Sequence, residues 1–353
     1  MSAAPALWLR HEPRPTERRT SIVPADAQRL VEGGVRVTVE RSPQRVFPIE
    51  AYERAGCRVA EPGSWESAPE DTVVVGLKEL DDDPAELRHR HIFFGHAYKN
   101  QPGAETLLRR FLAGGGTLFD LEYLVDDTGR RLAAFGYWAG YVGAALAVLH
   151  HRGRLTTPLT PTTQPELAAA LRPATGEEKE QPSALVVGAL GRSGRGARVA
   201  LAEAGVDPTC WDLAETRDLD HRALLDHELM VNTVLTTEPV TPFLTHRDLD
   251  DPSRALRLLS DVTCDVGSPW NVVPVYDTVT DWEAPVRRLR DEPAPFDLIA
   301  IDNLPSLLPA EASTDFSAAL TPHLLEFEVS GAWARCGERF AAACRELEAK
   351  AGE

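Results

Sequence analysis

Three short apolar runs constrain this chain more than any other feature: TVVVG at 72–76, HIFFG at 91–95 and ALVVG at 184–188. A continuous apolar run reads as a strand buried on both faces, as in a parallel sheet covered by helices. Helical patterns fall between such runs. Leu7 to Arg10 is a first strand, and Pro24 sits where a first helical turn tolerates proline. Ala25 to Val31 follow in helical order and Gly33-Gly34 end the helix. Val35, Val37 and Val39 then alternate with polar residues. Glu105 to Ala113 is a helix closed by Gly114-Gly115-Gly116, and Thr117 to Phe119 opens the next strand. This β-α-β alternation predicts an α/β fold with parallel sheets.

A second α/β unit begins at Ser183, with a helix to about Ala204 and strands at 209–213 and 229–235. Ala133 to His150 reads as a buried core helix whose small residues Ala139, Gly140, Gly143 and Ala144 allow close packing. Residues 155–181, rich in Thr, Pro and Glu, form a surface excursion with a short helix over 165–171. Residues 331–351 are helical, with Trp333, Cys336, Phe340 and Cys344 on one stripe.

A length of 353 residues suits about two domains. The net charge, 37 basic minus 54 acidic or −17, repels nucleic-acid phosphate and anionic lipid. A small anionic substrate is still open, because a basic pocket can sit inside an acidic envelope. The five cysteines are scattered with no CxxC pair, which points to a reducing compartment. With no signal peptide and no span-length apolar run, the expectation is a cytoplasmic protein.

Gly188-Ala189-Leu190-Gly191-Arg192-Ser193-Gly194 joins strand to helix with the spacing G-x-x-G-x-x-G. Glycines let backbone approach a pyrophosphate, and the helix N-terminus offers N–H groups and positive dipole. The spacing is not the standard G-x-G-x-x-G, but the strand before, the helix after and Asp212 strengthen it. Asp212 lies 21 residues beyond Gly191, where an acid that binds the adenosine ribose is expected. A carboxylate there favours NAD over NADP. The alternative is a tight βα turn with no ligand.

Ionisable residues also follow successive strands in the first half: Lys78-Glu79, then His96, Tyr98 and Lys99, then Glu122. Carboxyl ends of parallel strands line binding crevices, so the set reads as a site. A Lys beside a Glu and near a His can trade protons near neutrality. Arg14, Arg18 and Arg19 are candidates to bind carboxylates.

With these residues in view the chain resembles the lysine-forming saccharopine dehydrogenases, within the alanine dehydrogenase and transhydrogenase group. The matching stretches are LRHEPRPTERRTSIVP (9–24), GSWESAP (63–69), VVGLKEL (74–80), FGHAYKNQ (94–101), GTLFDLEYLVDDTGRRLAAFGYWAG (116–140), VVGALGRSGRGA (186–197) and IDNLPSLLPAEAS (301–313). The resemblance implies two Rossmann-like domains with an interdomain active-site cleft and the C-terminal helix returning to the N-terminal domain. Residues 1–130 with 310–353 would form the substrate domain and 131–309 the NAD-binding domain. It implies an NAD-dependent oxidoreductase of the CH–NH group in lysine metabolism. The substrates would be 2-oxoglutarate, lysine or a related amino acid, and a saccharopine-like product. A monomer is expected.

By motif match, Lys78 would handle the secondary amine and His96 the carbinolamine and carbonyl oxygen, with Glu79 and Glu122 tuning both. Arg19, Lys99, Gln101, Arg131 and Phe135 would hold substrate, with Thr263, Cys264 and Asp265 in a nearby loop. Arg130, Gly191, Arg192, Asp212, Thr216, Val262, Ile301, Asp302, Asn303 and Leu304 would contact cofactor. No metal is expected. The sequence departs from the family pattern at Arg14, where Lys is expected, at Leu235, which replaces an aromatic, and at Ala310, where Arg is usual. An alanine dehydrogenase-like enzyme using free ammonia and a non-catalytic NADH-binding relative are the alternatives.

Overall fold

The computed structural model describes residues 6–98, 103–173, 181–236, 238–292 and 294–351. The chain divides into two compact units, Met1–Ala134 with Ala312–Glu353, and Phe135–Glu311.

In the first unit β1 (Ala6–Leu9), β2 (Arg36–Glu40), β3 (Arg58–Ala60), β4 (Thr72–Val75), β5 (Arg90–Phe93) and β6 (Thr117–Asp120) form one parallel sheet. Its order is β3-β2-β1-β4-β5-β6. Three helices lie between strands: α1 (Pro24–Glu32), α2 (Ile49–Arg54) and α3 (Ala104–Gly114). β4 is buried at every position, as its unbroken apolar run requires.

In the second unit β7 (Ala184–Val187), β8 (Thr209–Trp211), β9 (Leu229–Asn232), β10 (Leu258–Asp261), β11 (Arg287–Arg290) and β12 (Phe296–Ile299) form a sheet of order β11-β12-β10-β9-β7-β8. Its helices are α4 (Gly136–His151), α5 (Gln164–Leu171), α6 (Arg192–Glu203), α7 (Leu213–Arg217), α8 (His221–Leu225) and α9 (His246–Leu249). The sheet is parallel except at β11, which runs antiparallel to β12. β11 is the arginine-rich edge strand RRLR, and the buried apolar pattern that marks a parallel strand is missing from it. α10 (Pro309–Leu325) and α11 (Gly331–Ala351) complete the chain. α11 packs on β6 and α3 of the first unit through the buried stripe Trp333, Cys336, Phe340 and Cys344.

Two expected spans end elsewhere, for local reasons. The strand over 229–235 stops at Asn232, whose Oδ1 accepts the Val234 N–H at 3.2 Å and turns the chain, while Thr233 Oγ1 donates to Val187 O at 2.8 Å. The helix expected from Ala133 begins at Gly136, because Arg131 is bridged to Val125 and Leu132 N–H donates to Leu124 O at 2.9 Å. The small face of α4 meets α6 backbone to backbone: a Cβ on Gly140 would lie 1.8 Å from Ser193 O. No described helix is long and apolar enough to cross a membrane, and all five cysteines are free.

Candidate functional site

Each sheet offers the carboxyl ends of its parallel strands, and the two units differ in what stands there. After β7 the chain turns on Gly188, φ +81°, a conformation open to glycine at little cost. The Gly188 and Ala189 amides donate to Trp211 O of β8, at 2.8 and 3.0 Å. Gly194 is needed for closeness, since a Cβ there would stand 2.1 Å from Gly188 O. Gly191 caps α6 with no side-chain cap, which leaves first-turn N–H groups for an anion. Asp212, at the end of β8, accepts Leu190 N–H at 2.9 Å and Leu213 N–H at 3.0 Å. Thr216 Oγ1 donates to Asp212 O at 2.9 Å. Leu190 and Leu213 are 70% and 76% exposed, an apolar pair beside the carboxylate. The donor set therefore fits a dinucleotide: amides for a diphosphate, an acid for a ribose, apolar surface for a base.

Among its described residues the first unit has no such turn. β1 runs into Arg10-His11-Glu12-Pro13, and the carboxylate that ends β2, Glu40, is buried and consumed internally. It accepts Trp8 Nε1, His11 N, Gly63 N and Trp65 N at 2.8–3.0 Å. The Rossmann-like topology is repeated there with its acid closed off.

At the carboxyl ends of β4, β5 and β6 the first unit carries its ionisable groups. His96 Nδ1 lies 3.4 Å from Glu122 Oε2. The hydrogen bond to Glu122 raises the His96 pKa, burial opposes it, the Glu122 and Asp120 charges raise it further, and the Lys78 charge lowers it. Lys78 and His96 thus feel each other's charge. Asp120 is buried, accepts Glu122 N–H at 3.0 Å, and is pushed up mainly by burial. Behind it Cys336 Sγ donates to Asp120 O at 3.3 Å, and burial pushes that thiol up to about 12.

Glu79 turns outward to Arg14, 3.2 Å away, and both side chains are exposed. The Lys78 charge also helps to hold down the Glu17 carboxyl. Glu17 and Arg19 form a buried two-pronged pair, with Nε to Oε1 at 2.9 Å and Nη2 to Oε2 at 2.7 Å. Burial raises the Glu17 carboxyl, but Arg19 and then Lys78 overcome it, leaving it at about 2. Glu12 and Glu17 escaped the sequence reading because they sit in an irregular loop without periodicity. The signal available was acids interleaved with arginines in RHEPRPTERR. Arg130 and Arg131 are exposed at the bridge to Val125. Lys99 and Gln101 lie outside the described residues.

In the second unit a buried carboxylate orders the loops that follow β9 and β10. Asp261 Oδ1 accepts Asn232 Nδ2 at 3.0 Å, Thr263 N at 3.0 Å and Thr263 Oγ1 at 2.7 Å, and its Oδ2 accepts Tyr276 Oη at 2.6 Å. Burial, then the Asp261 and Asp302 charges, push the Cys264 thiol up, which disfavours its thiolate form. Asp265 follows in the same loop, and Phe135 precedes α4 while Arg192 opens α6. Val262 is half-buried; Ile301 and Leu304 are buried, so a ligand there would meet their backbone rather than their side chains. Among the described residues three non-glycine positions have positive φ: His96, Cys264 and Asn303. All three belong to the site residues expected from sequence, and such strain gathers at functional sites. No cluster of potential metal ligands exists among the described residues.

Comparison with known proteins bears on the family and the fold. Residues 8–142 match the family model "Alanine dehydrogenase/PNT, N-terminal domain". A Schizosaccharomyces pombe protein, saccharopine dehydrogenase [NAD(+), L-lysine-forming], is 40% identical over 91% of this chain and 93% of its own length. A Neurospora crassa protein of the same name is 40% identical over 96% of each chain. Among solved structures an L-alanine dehydrogenase superposes with a TM-score of 0.67 at 16% identity, covering 95% of this chain and 93% of that one. The last likeness speaks for the fold alone.

Proposed function

Because the chain belongs to the NAD-dependent, L-lysine-forming saccharopine dehydrogenases, we propose that it interconverts saccharopine with lysine and 2-oxoglutarate. In the reductive direction the ε-amine of lysine adds to the oxo carbon of 2-oxoglutarate, water leaves, and the imine is reduced to a secondary amine. The Gly188–Gly194 turn and Asp212 would hold NADH, which would supply the hydride for that reduction. The remaining work is proton transfer. His96 gives a proton to the carbinolamine oxygen as water departs, and takes it back in the reverse reaction. Lys78 removes and returns the proton of the amine nitrogen. Glu122 holds the imidazole and favours its charged form. Arg19, Lys99 and Arg131 are the cations that the family resemblance assigns to substrate carboxylates, and of these Arg19 is already paired with the buried Glu17.

One observation carries this reading: two acid–base groups, Lys78 and His96, follow the adjacent parallel strands β4 and β5, with the Glu122 carboxylate 3.4 Å from the imidazole. Two proton shuttles are what an imine route requires. The test is NADH oxidation by the purified protein with 2-oxoglutarate and L-lysine. Turnover with pyruvate and ammonia instead would move the assignment to an alanine dehydrogenase chemistry. NADH binding with no turnover on any amine and oxoacid would mark a non-catalytic relative.

A further inference from the structure

Residues 76–78 leave β4 as Gly-Leu-Lys, and their backbone is held from the end of β1. Glu12 accepts the Leu77 N–H at Oε1, 2.7 Å away, and the Lys78 N–H at Oε2, 2.9 Å away. Arg10 donates through Nη2 to the Lys78 carbonyl and pairs with Glu12 at 3.3 Å. Both are buried, Arg10 at 2% exposure and Glu12 at 6%. The guanidinium lies 5.7 Å from the Phe93 ring centroid. A Cβ on Gly76 would stand 2.4 Å from Arg10 Nε, so glycine leaves the room that the guanidinium occupies.

An ion pair taken out of water costs desolvation that a well-packed apolar pair avoids, so it is weak evidence of stabilisation. What this pair supplies is direction. The peptide N–H before the Lys78 Cα goes to Glu12 and the carbonyl after it goes to Arg10, so both peptide groups flanking that carbon are fixed from one side. Catalytic groups must be held to within about half an ångström by supporting residues.

We propose that Glu12, braced by Arg10, is a positioning residue for Lys78. It holds the backbone at position 78 so that the amine is presented in one orientation. The proposal rests on the reading of Lys78 as an acid–base residue, and the experiment separates the two. Glu12→Gln, Lys78→Met and the double variant are assayed as full-length protein with NADH, 2-oxoglutarate and lysine. NADH affinity is followed by fluorescence titration and folding by circular dichroism.

Glu12→Gln should lower kcat by roughly 10–100-fold, the scale on which misplacement acts, with NADH affinity within about threefold of wild type. In the Lys78→Met background the same substitution should lower residual turnover by less than about twofold, because its effect passes through the missing amine. An equal loss in both backgrounds would overturn the proposal, as would unchanged kcat in Glu12→Gln. Wild-type turnover in Lys78→Met would instead overturn the reading of Lys78 itself. If Glu12→Gln does not fold, Glu12→Asp keeps the charge on Arg10 but shortens the reach to the two amides, and the same comparison of backgrounds decides.

Discussion

Replacing Glu17 by glutamine should remove an acid-dependent part of this protein's stability, and its size follows from the Arg19 pair. Both side chains are buried and share two hydrogen bonds. The Glu17 carboxyl falls from 4.5 to about 2 on folding: burial alone would raise it, and Arg19 followed by Lys78 reverses that. A carboxyl depressed in the folded state stabilises above its unfolded pKa and loses that contribution as pH falls through the folded one. The full contribution is about 3 kcal/mol, the drop from 4.5 to about 2 converted at 1.36 kcal/mol per tenfold change in proton affinity. About 2 kcal/mol of it is gone by pH 3, with the loss starting just below pH 5. Glutamine does not titrate. Urea unfolding of both proteins at pH 7, 5, 4 and 3 should therefore show wild type losing its advantage over Glu17→Gln by about 2 kcal/mol between pH 5 and pH 3. A gap that stays constant with pH would refute the argument, because it would mean that Glu17 is not ionised against Arg19 in the folded protein.

The remaining predictions concern the two sheets separately. Lys78→Met and His96→Gln should each lower turnover by roughly 10²–10⁴ and leave NADH titrations nearly unchanged; loss of folding in both would make these residues structural. Asp212→Ala should weaken NAD binding and narrow the preference over NADP, read as the ratio of kcat/KM for the two cofactors. Gly140→Ala places a methyl where Ser193 O already stands 1.8 Å away, so α4 and α6 must separate. Thermal melts should show about 1–3 kcal/mol of destabilisation, and an unchanged Tm would contradict the close approach.

Parts of the fold were legible because burial on both faces leaves a plain mark. TVVV and ALVV could be read as parallel strands since every side chain enters a core, and the α11 stripe since its buried residues recur at helical spacing. β3 and β11 were not legible: three or four residues of mixed polarity at a sheet edge carry no period. The site divides in the same way. Lys78, His96, Glu122 and Asp212 follow strands and could be located by that position. Glu12 and Glu17 reach their partners from an irregular loop, and Asp261 looks in sequence like the polar end of a strand. Their importance comes from the donors that converge on them, which only the folded chain brings together. Glu79 shows the converse: adjacent to Lys78 in sequence, it turns to Arg14 at the surface.

The measurement that bears most directly on the central claim is initial-rate NADH oxidation with 2-oxoglutarate and a panel of amino donors, wild type beside Lys78→Met. The account predicts that L-lysine is the preferred donor, that saccharopine accumulates, and that Lys78→Met is slower by at least ~10². Turnover confined to free ammonia, or a Lys78→Met protein as fast as wild type, would contradict it.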